Sequence, residues 1–88
     1  MIVPLAVEWT HDADKDVGRL DRKVKQRIRR AVNLYATTGQ GDVVRMKAPE
    51  PGYRLRVGEW RVRFDVDRER RVMTVFGVFV RGDAYKRR

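Results

Sequence analysis

The sequence predicts an α+β fold, a small antiparallel sheet of about four strands with two N-terminal helices packed on one face. Three observations lead there. Apolar residues from Leu20 to Tyr35 recur at helical spacing, residues 53–80 alternate or run β-rich in three segments, and the chain is only 88 residues long. That length holds one domain, taken as residues 1–88, with a core that must be assembled economically.

The elements follow in chain order. Leu5 to Thr10 reads as a short strand, with Leu5, Val7 and Trp9 alternating with Ala6 and Glu8. His11 to Val17 is a short helix capped by Thr10 or Asp12, and Gly18 ends it. In the second helix Leu20, Val24, Ile28, Ala31, Val32 and Tyr35 make one apolar stripe. Asp21 complements the helix dipole at its start, and Gly39 and Gly41 stop it. Its other face carries Arg22, Lys23, Lys25, Gln26, Arg29 and Arg30. Gln40 to Gly52, with Pro49 and Pro51, reads as a connecting loop. Three strands complete a β-α-α-β-β-β order: Tyr53 to Val57, Trp60 to Asp67 and Arg71 to Val80.

Between the first two of these strands stand only Gly58 and Glu59, glycine first, as a type II′ turn requires. The turn sets a register. Val57 faces Trp60, Leu55 faces Val62 and Tyr53 faces Phe64 on the helix side. Arg56 then faces Arg61, and Arg54 faces Arg63, on the other. Like charges directly across two strands cost up to about 1 kcal/mol per pair. The pattern makes sense if a polyanion neutralises that face, because guanidinium forks grip phosphate oxygens and stay charged. Asp65 or Asp67 pairing with these arginines is the alternative use of the same charges. With a turn centred near Glu69, Gly77 is expected beside Arg61, leaving open space there. Arg81 and Tyr85 follow the last strand beside the same face, one a phosphate contact and the other a stacking or packing ring.

Composition narrows the function classes. A net charge of +9 points to a polyanionic partner, with nucleic acid ahead of an acidic protein or an anionic membrane. There is no cysteine, hence no disulfide and no thiolate ligand. No apolar run is long enough for a membrane span, and no signal peptide is read, so a cytoplasmic protein is expected. The lone histidine, His11, lies far in sequence from the arginines and reads as a surface or capping residue. The acidic run Asp12, Asp14 and Asp16 reads as a solvated helix start. No ligand cluster, HExxH, GxSxG or phosphate loop is present, so neither metal nor cofactor is implied. RNA nonetheless carries its own nucleophile, the 2′-hydroxyl. Its cleavage needs in-line geometry, positive charge for the transition state and a proton acceptor and donor. A tyrosine can serve in proton transfer if cations lower its pKa, ordinarily near 10.

The run Tyr53-Arg54-Leu55-Arg56-Val57-Gly58-Glu59-Trp60-Arg61-Val62 resembles the central hairpin of the RelE/ParE toxin superfamily, and the ending Val78-Phe79-Val80-Arg81-Gly82-Asp83-Ala84-Tyr85 resembles its C-terminal motif. The element order and basic second helix are similar too. The resemblance implies the toxin of a type II toxin–antitoxin system, an endoribonuclease cutting mRNA, often on the ribosome, and restrained by a cognate antitoxin. By position, Arg61, Arg81 and Tyr85 take the catalytic places, and Arg54 and Arg56 those of basic residues on the family's second strand. Arg63 and Lys47, the latter in the loop before the hairpin, are counted with Arg54 and Arg56 as RNA-binding. Val80 stands where many relatives carry a histidine, and arginines replace the lysines of other members. Arginine is a poor general base, being almost never deprotonated. The base therefore stays open. So do a ParE-like inhibitor of DNA gyrase and a basic RNA- or ribosome-binding module without catalysis.

Overall fold

The computed structural model describes residues 4–80. Its elements run β1 (Ala6–Trp9), α1 (His11–Gly18), α2 (Arg22–Thr38), β2 (Asp42–Arg45), β3 (Tyr53–Val57), β4 (Trp60–Asp67) and β5 (Val72–Val80). The fold is α+β, as expected, with both helices on one face of the sheet. The sheet order is β1-β5-β4-β3-β2. Two details differ from the sequence reading. The segment read as loop contains β2, which adds a fifth strand at the edge, paired antiparallel to β3. The sheet is also mixed, because β1 lies parallel to β5. Three reversals from β2 to β5 leave the last strand running with the first, and the two helices make the crossover.

Local chemistry sets the helix limits. The Thr10 hydroxyl accepts the Ala13 N–H at 3.2 Å and starts α1. The Asp21 carboxylate accepts the Val24 N–H at 3.0 Å and starts α2. Gly39 ends α2 in the left-handed conformation (φ 79°), its N–H reaching the Tyr35 carbonyl at 2.8 Å. The α2 stripe drives Ile28, Val32 and Ala36 against the sheet, where they meet Leu55, Val62, Phe64 and Val75, all buried. Phe64 is the centre of this layer. Tyr35 meets it in a tilted contact at 5.3 Å between centroids, and Tyr53 stacks on it at 5.5 Å. Each fully buried side chain of this size contributes about 1.5–3 kcal/mol. Among the described residues the opposite face of the sheet has no helix on it.

The two hairpins differ in regularity. At Gly58 φ is +60° while Glu59 stays at negative φ, as a type II′ turn requires, and the β3–β4 register is the one the alternation predicts. Between β4 and β5 the register shifts: Phe64 faces Val75 but Arg63 faces Gly77, leaving Phe76 in a bulge. The bulge and a four-residue turn slide β5 relative to the sequence reading. Arg61 therefore faces Phe79, and Gly77 lies beside Arg63. Gly77 does not open a space either: a Cβ there would stand 2.5 Å from the Phe79 ring, which folds over it.

Candidate nucleic-acid interface

The face of the sheet away from the helices carries Arg54 and Arg56 on β3 and Arg61 and Arg63 on β4, in the pairs Arg54–Arg63 and Arg56–Arg61. Their surroundings separate them into two groups. Arg56 is exposed, with Asp42 of β2 across from it at 3.9 Å, and their side chains are 62% and 64% accessible. So loose a surface pair is worth at most about 1 kcal/mol. Arg61 is half-buried. Its Nη1 donates to the carbonyls of Gly58 (2.9 Å) and Trp60 (3.0 Å), which clamps the guanidinium at the hairpin tip. Its remaining N–H groups have no partner among the described residues. Arg54 is half-buried and shares a hollow with Lys47.

Arg63 departs from the expectation. It is 6% exposed, beneath the segment between β2 and β3. Nη1 pairs with Glu50 Oε1 at 3.0 Å, Nη2 donates to the Pro51 carbonyl at 3.1 Å, and Cζ lies 5.3 Å from the Phe76 ring centroid. An arginine committed in this way has no fork left for a phosphate. The strand alternation correctly set its face; it carried no information about where the following loop folds.

Apart from Asp42 and Glu50, the acidic residues of this face lie away from the arginines. Asp65 and Asp67 occupy the far end of β4, with Glu8 on β1. Asp65 Oδ1 accepts its neighbour's N–H at Val66, and Asp67 Oδ1 accepts that of Arg70. Neither pairs with Arg56 or Arg61 among the described residues. The open face is thus positive toward the Gly58 turn and negative toward the β4–β5 turn. His11 is exposed on the first turn of α1, away from this face. Among the described residues no group of three or more His, Asp or Glu side chains is placed to hold a metal ion, and no helix is long and apolar enough to cross a membrane.

Arg81 and Tyr85 lie outside the described residues. The chain enters that segment from Val80, which pairs with Trp60, the residue next to Arg61. Sequence reasoning missed Glu50 and Phe76, which together enclose Arg63, and Arg27 of α2, whose guanidinium lies over Gly58. No local pattern marks any of the three.

Over residues 7–85 the sequence matches the family model described as the ParE toxin of the type II toxin–antitoxin system parDE. The chain belongs to this family, within the RelE/ParE superfamily, and is the toxin component of a type II toxin–antitoxin system. No curated protein matches the sequence significantly. Among solved structures it is similar to the toxin–antitoxin complex RelBE2 of Mycobacterium tuberculosis (TM-score 0.80, 20% identity, covering 94% of this chain and 98% of that one). It is also similar to the archaeal RelE–RelB complex of Pyrococcus horikoshii OT3 (TM-score 0.76, 19% identity, 93% and 100% covered). The YoeB dimer of Staphylococcus aureus follows at TM-score 0.66, 19% identity, 85% and 94% covered. At these identities the likeness is one of fold.

Proposed function

We propose that this toxin is an endoribonuclease that cuts mRNA on the ribosome, in the cytoplasm, without a metal ion or cofactor. The observation that supports the reading is the grouping of Arg54, Arg56 and Arg61 on the sheet face away from the helices, with the Arg61 guanidinium preset at the hairpin tip. In the reaction the 2′-oxygen attacks the adjacent phosphorus as the P–O5′ bond breaks. The 2′-hydroxyl proton leaves to a base, and a proton is delivered to the departing 5′-oxygen. Arg61 and Arg81 stabilise the charge that builds on the phosphorus oxygens, and Tyr85 takes part in proton transfer or stacks on a base. A cognate antitoxin is the restraining partner, its acidic or amphipathic segment covering the basic sheet face or the helices.

The family match favours a second reading, a toxin directed at DNA gyrase that leaves mRNA intact. Induction in growing cells followed by primer extension on mRNA separates the two. The ribonuclease reading expects new 5′ ends within messages and loss of about 10²–10³-fold in cleavage for Arg61→Ala, as for removal of a preset transition-state donor. Tyr85→Phe relieves toxicity as well. Intact mRNA with stalled gyrase and DNA-damage signalling refutes it in favour of the second reading. RNA binding without any cleavage leaves only a non-catalytic module.

A further inference from the structure

Beside β2 and β3 the open face dips into a hollow lined by Val44, Met46, Lys47, Pro49, Glu50 and Arg54. Its floor is a cross-strand pair, Val44 opposite Arg54. Val44 is 43% exposed and gives that floor an accessible apolar surface. Its rim is the segment 46–52. That segment closes on itself through Met46 N–H to the Gly52 carbonyl (2.9 Å) and Glu50 N–H to the Lys47 carbonyl (2.9 Å). The carboxylate of Glu50 reaches Arg63 underneath, so its charge is neutralised from below.

Arg63 is an odd residue to bury. Its Nε has no hydrogen-bond partner, an arrangement that stability alone would select against. The buried guanidinium does two things for the hollow. It fixes the rim in place through Glu50 and the Pro51 carbonyl, and it cancels the negative charge of Glu50 in a hollow that Arg45 and Lys47 line with positive charge. An apolar floor and rim beside cations fit a nucleotide, whose base takes the apolar surface and whose phosphate takes the charge.

We propose that this hollow is a nucleotide subsite for the RNA strand flanking the reacting phosphate, with the base against Val44 and Pro49 and its phosphate at Lys47, and that Arg63 and Glu50 form the latch that holds its rim. The inference rests on the ribonuclease reading for its ligand. Arg63 is on this view a positioning residue and touches no RNA.

The probe is a fluorescein-labelled single-stranded oligonucleotide, 2′-O-methylated so that its own 2′-oxygen cannot attack, titrated at several salt concentrations. Lys47→Ala is expected to weaken binding about three- to tenfold and to reduce the magnitude of the salt slope by about 0.7, one phosphate contact on a single strand. Val44→Asp weakens it by at least as much. The latch has a signature of opposite sign from simple electrostatics. Glu50→Ala removes a negative charge, which by Coulomb attraction alone tightens RNA binding; the latch predicts weaker binding and faster tryptic cleavage after Lys47. Glu50→Gln removes the same charge but still accepts from Arg63, so it keeps the rim protected and binds at least as tightly as the parent. Parental Kd and salt slope in both Lys47→Ala and Val44→Asp overturn the subsite, and tight binding with a protected Lys47 in Glu50→Ala overturns the latch. Should Glu50→Ala melt before the assay, the Lys47 and Val44 variants decide the subsite by themselves. A parent that binds no RNA refutes the ribonuclease reading and the subsite together, while the protease comparison still decides the latch.

Discussion

The Asp16 carboxylate accepts the Val78 N–H at 3.0 Å, joining the last turn of α1 to β5 just where β1 has run out. Parallel pairing with β1 covers only Val72 to Val75, and the Thr10 N–H to the Val75 carbonyl at 2.9 Å follows it. Beyond that the outer edge of β5 needs another acceptor. An acid in the last turn of a helix opposes the dipole, so the position of Asp16 is explained by this bond and not by the helix. Asp16→Ala is expected to lower stability by about 1.5–3 kcal/mol, as for a lost charge-assisted bond to a poorly solvated N–H. Asp16→Asn, which keeps an acceptor oxygen, loses less. Urea unfolding of the three proteins measures both, and an unchanged midpoint for Asp16→Ala contradicts the account.

Arg61 and Arg63 are two residues apart on one face, yet their substitution by alanine should have different consequences. Arg63→Ala removes the ion pair with Glu50 and the contact with Phe76, at a cost of about 2–4 kcal/mol in stability. Glu50, 39% exposed, can turn to water and keeps the loss from being larger. Arg61→Ala gives up bonds to two carbonyls at the hairpin tip and should stay within about 1 kcal/mol of the parent. Thermal unfolding beside a toxicity assay checks this. Arg63→Ala should show a clear fall in the unfolding midpoint, with toxicity falling through lost folded protein and a loosened rim, while Arg61→Ala should lose activity at a near-parental midpoint.

Two glycines should respond to alanine with opposite signs. At Gly58 the backbone has φ +60°, and an added Cβ would stand 2.7 Å from Nη2 of Arg27. The conformational term alone costs about 1–2 kcal/mol. The steric term is soluble by moving Arg27, so Arg27→Ala should recover part of the loss in a double-mutant cycle. Gly18 closes α1 with nothing within 4 Å of the Cβ position. Gly18→Ala should therefore gain about 0.5–1 kcal/mol by helix propensity and a less flexible unfolded chain.

Why the β3–β4 hairpin was legible and the loop over it was not follows from the range of the signals. Strict alternation from Tyr53 to Phe64 around a two-residue turn is local, and it specifies every cross-strand partner. The α2 stripe, with Asp21 and Gly39 at its ends, is local as well. By contrast β2 has four residues, and only Val43 among them packs on the core, so no periodicity can emerge. The Phe76 bulge is decided by packing against Arg63 and Gly52, residues far away in sequence. Burial of Arg63 needs the path of the segment 46–52 across the sheet, which neither strand encodes. The arginine pairs could thus be read from sequence, whereas the availability of each one depended on contacts made at long range.

Asp42 offers a test of the open face that leaves the core untouched. It lies across from Arg56 at 3.9 Å, both side chains largely in water, so Asp42→Asn should change stability by less than about 0.5 kcal/mol. Its effect on a polyanion should be larger. Removing the carboxylate releases Arg56 entirely to phosphate and raises the local potential, so RNA binding should tighten by about two- to fivefold at low salt. The parent itself, with about four phosphate contacts on a single strand, should lose about 50-fold in affinity between about 50 and 200 mM salt. The gain in Asp42→Asn should shrink over the same range, because a Debye length of about 8 Å near physiological salt screens an exposed charge. Fluorescence anisotropy on an uncleavable strand measures both slopes. If Asp42→Asn binds no tighter at any salt while Arg56→Ala also binds as the parent does, phosphate does not approach this edge of the sheet.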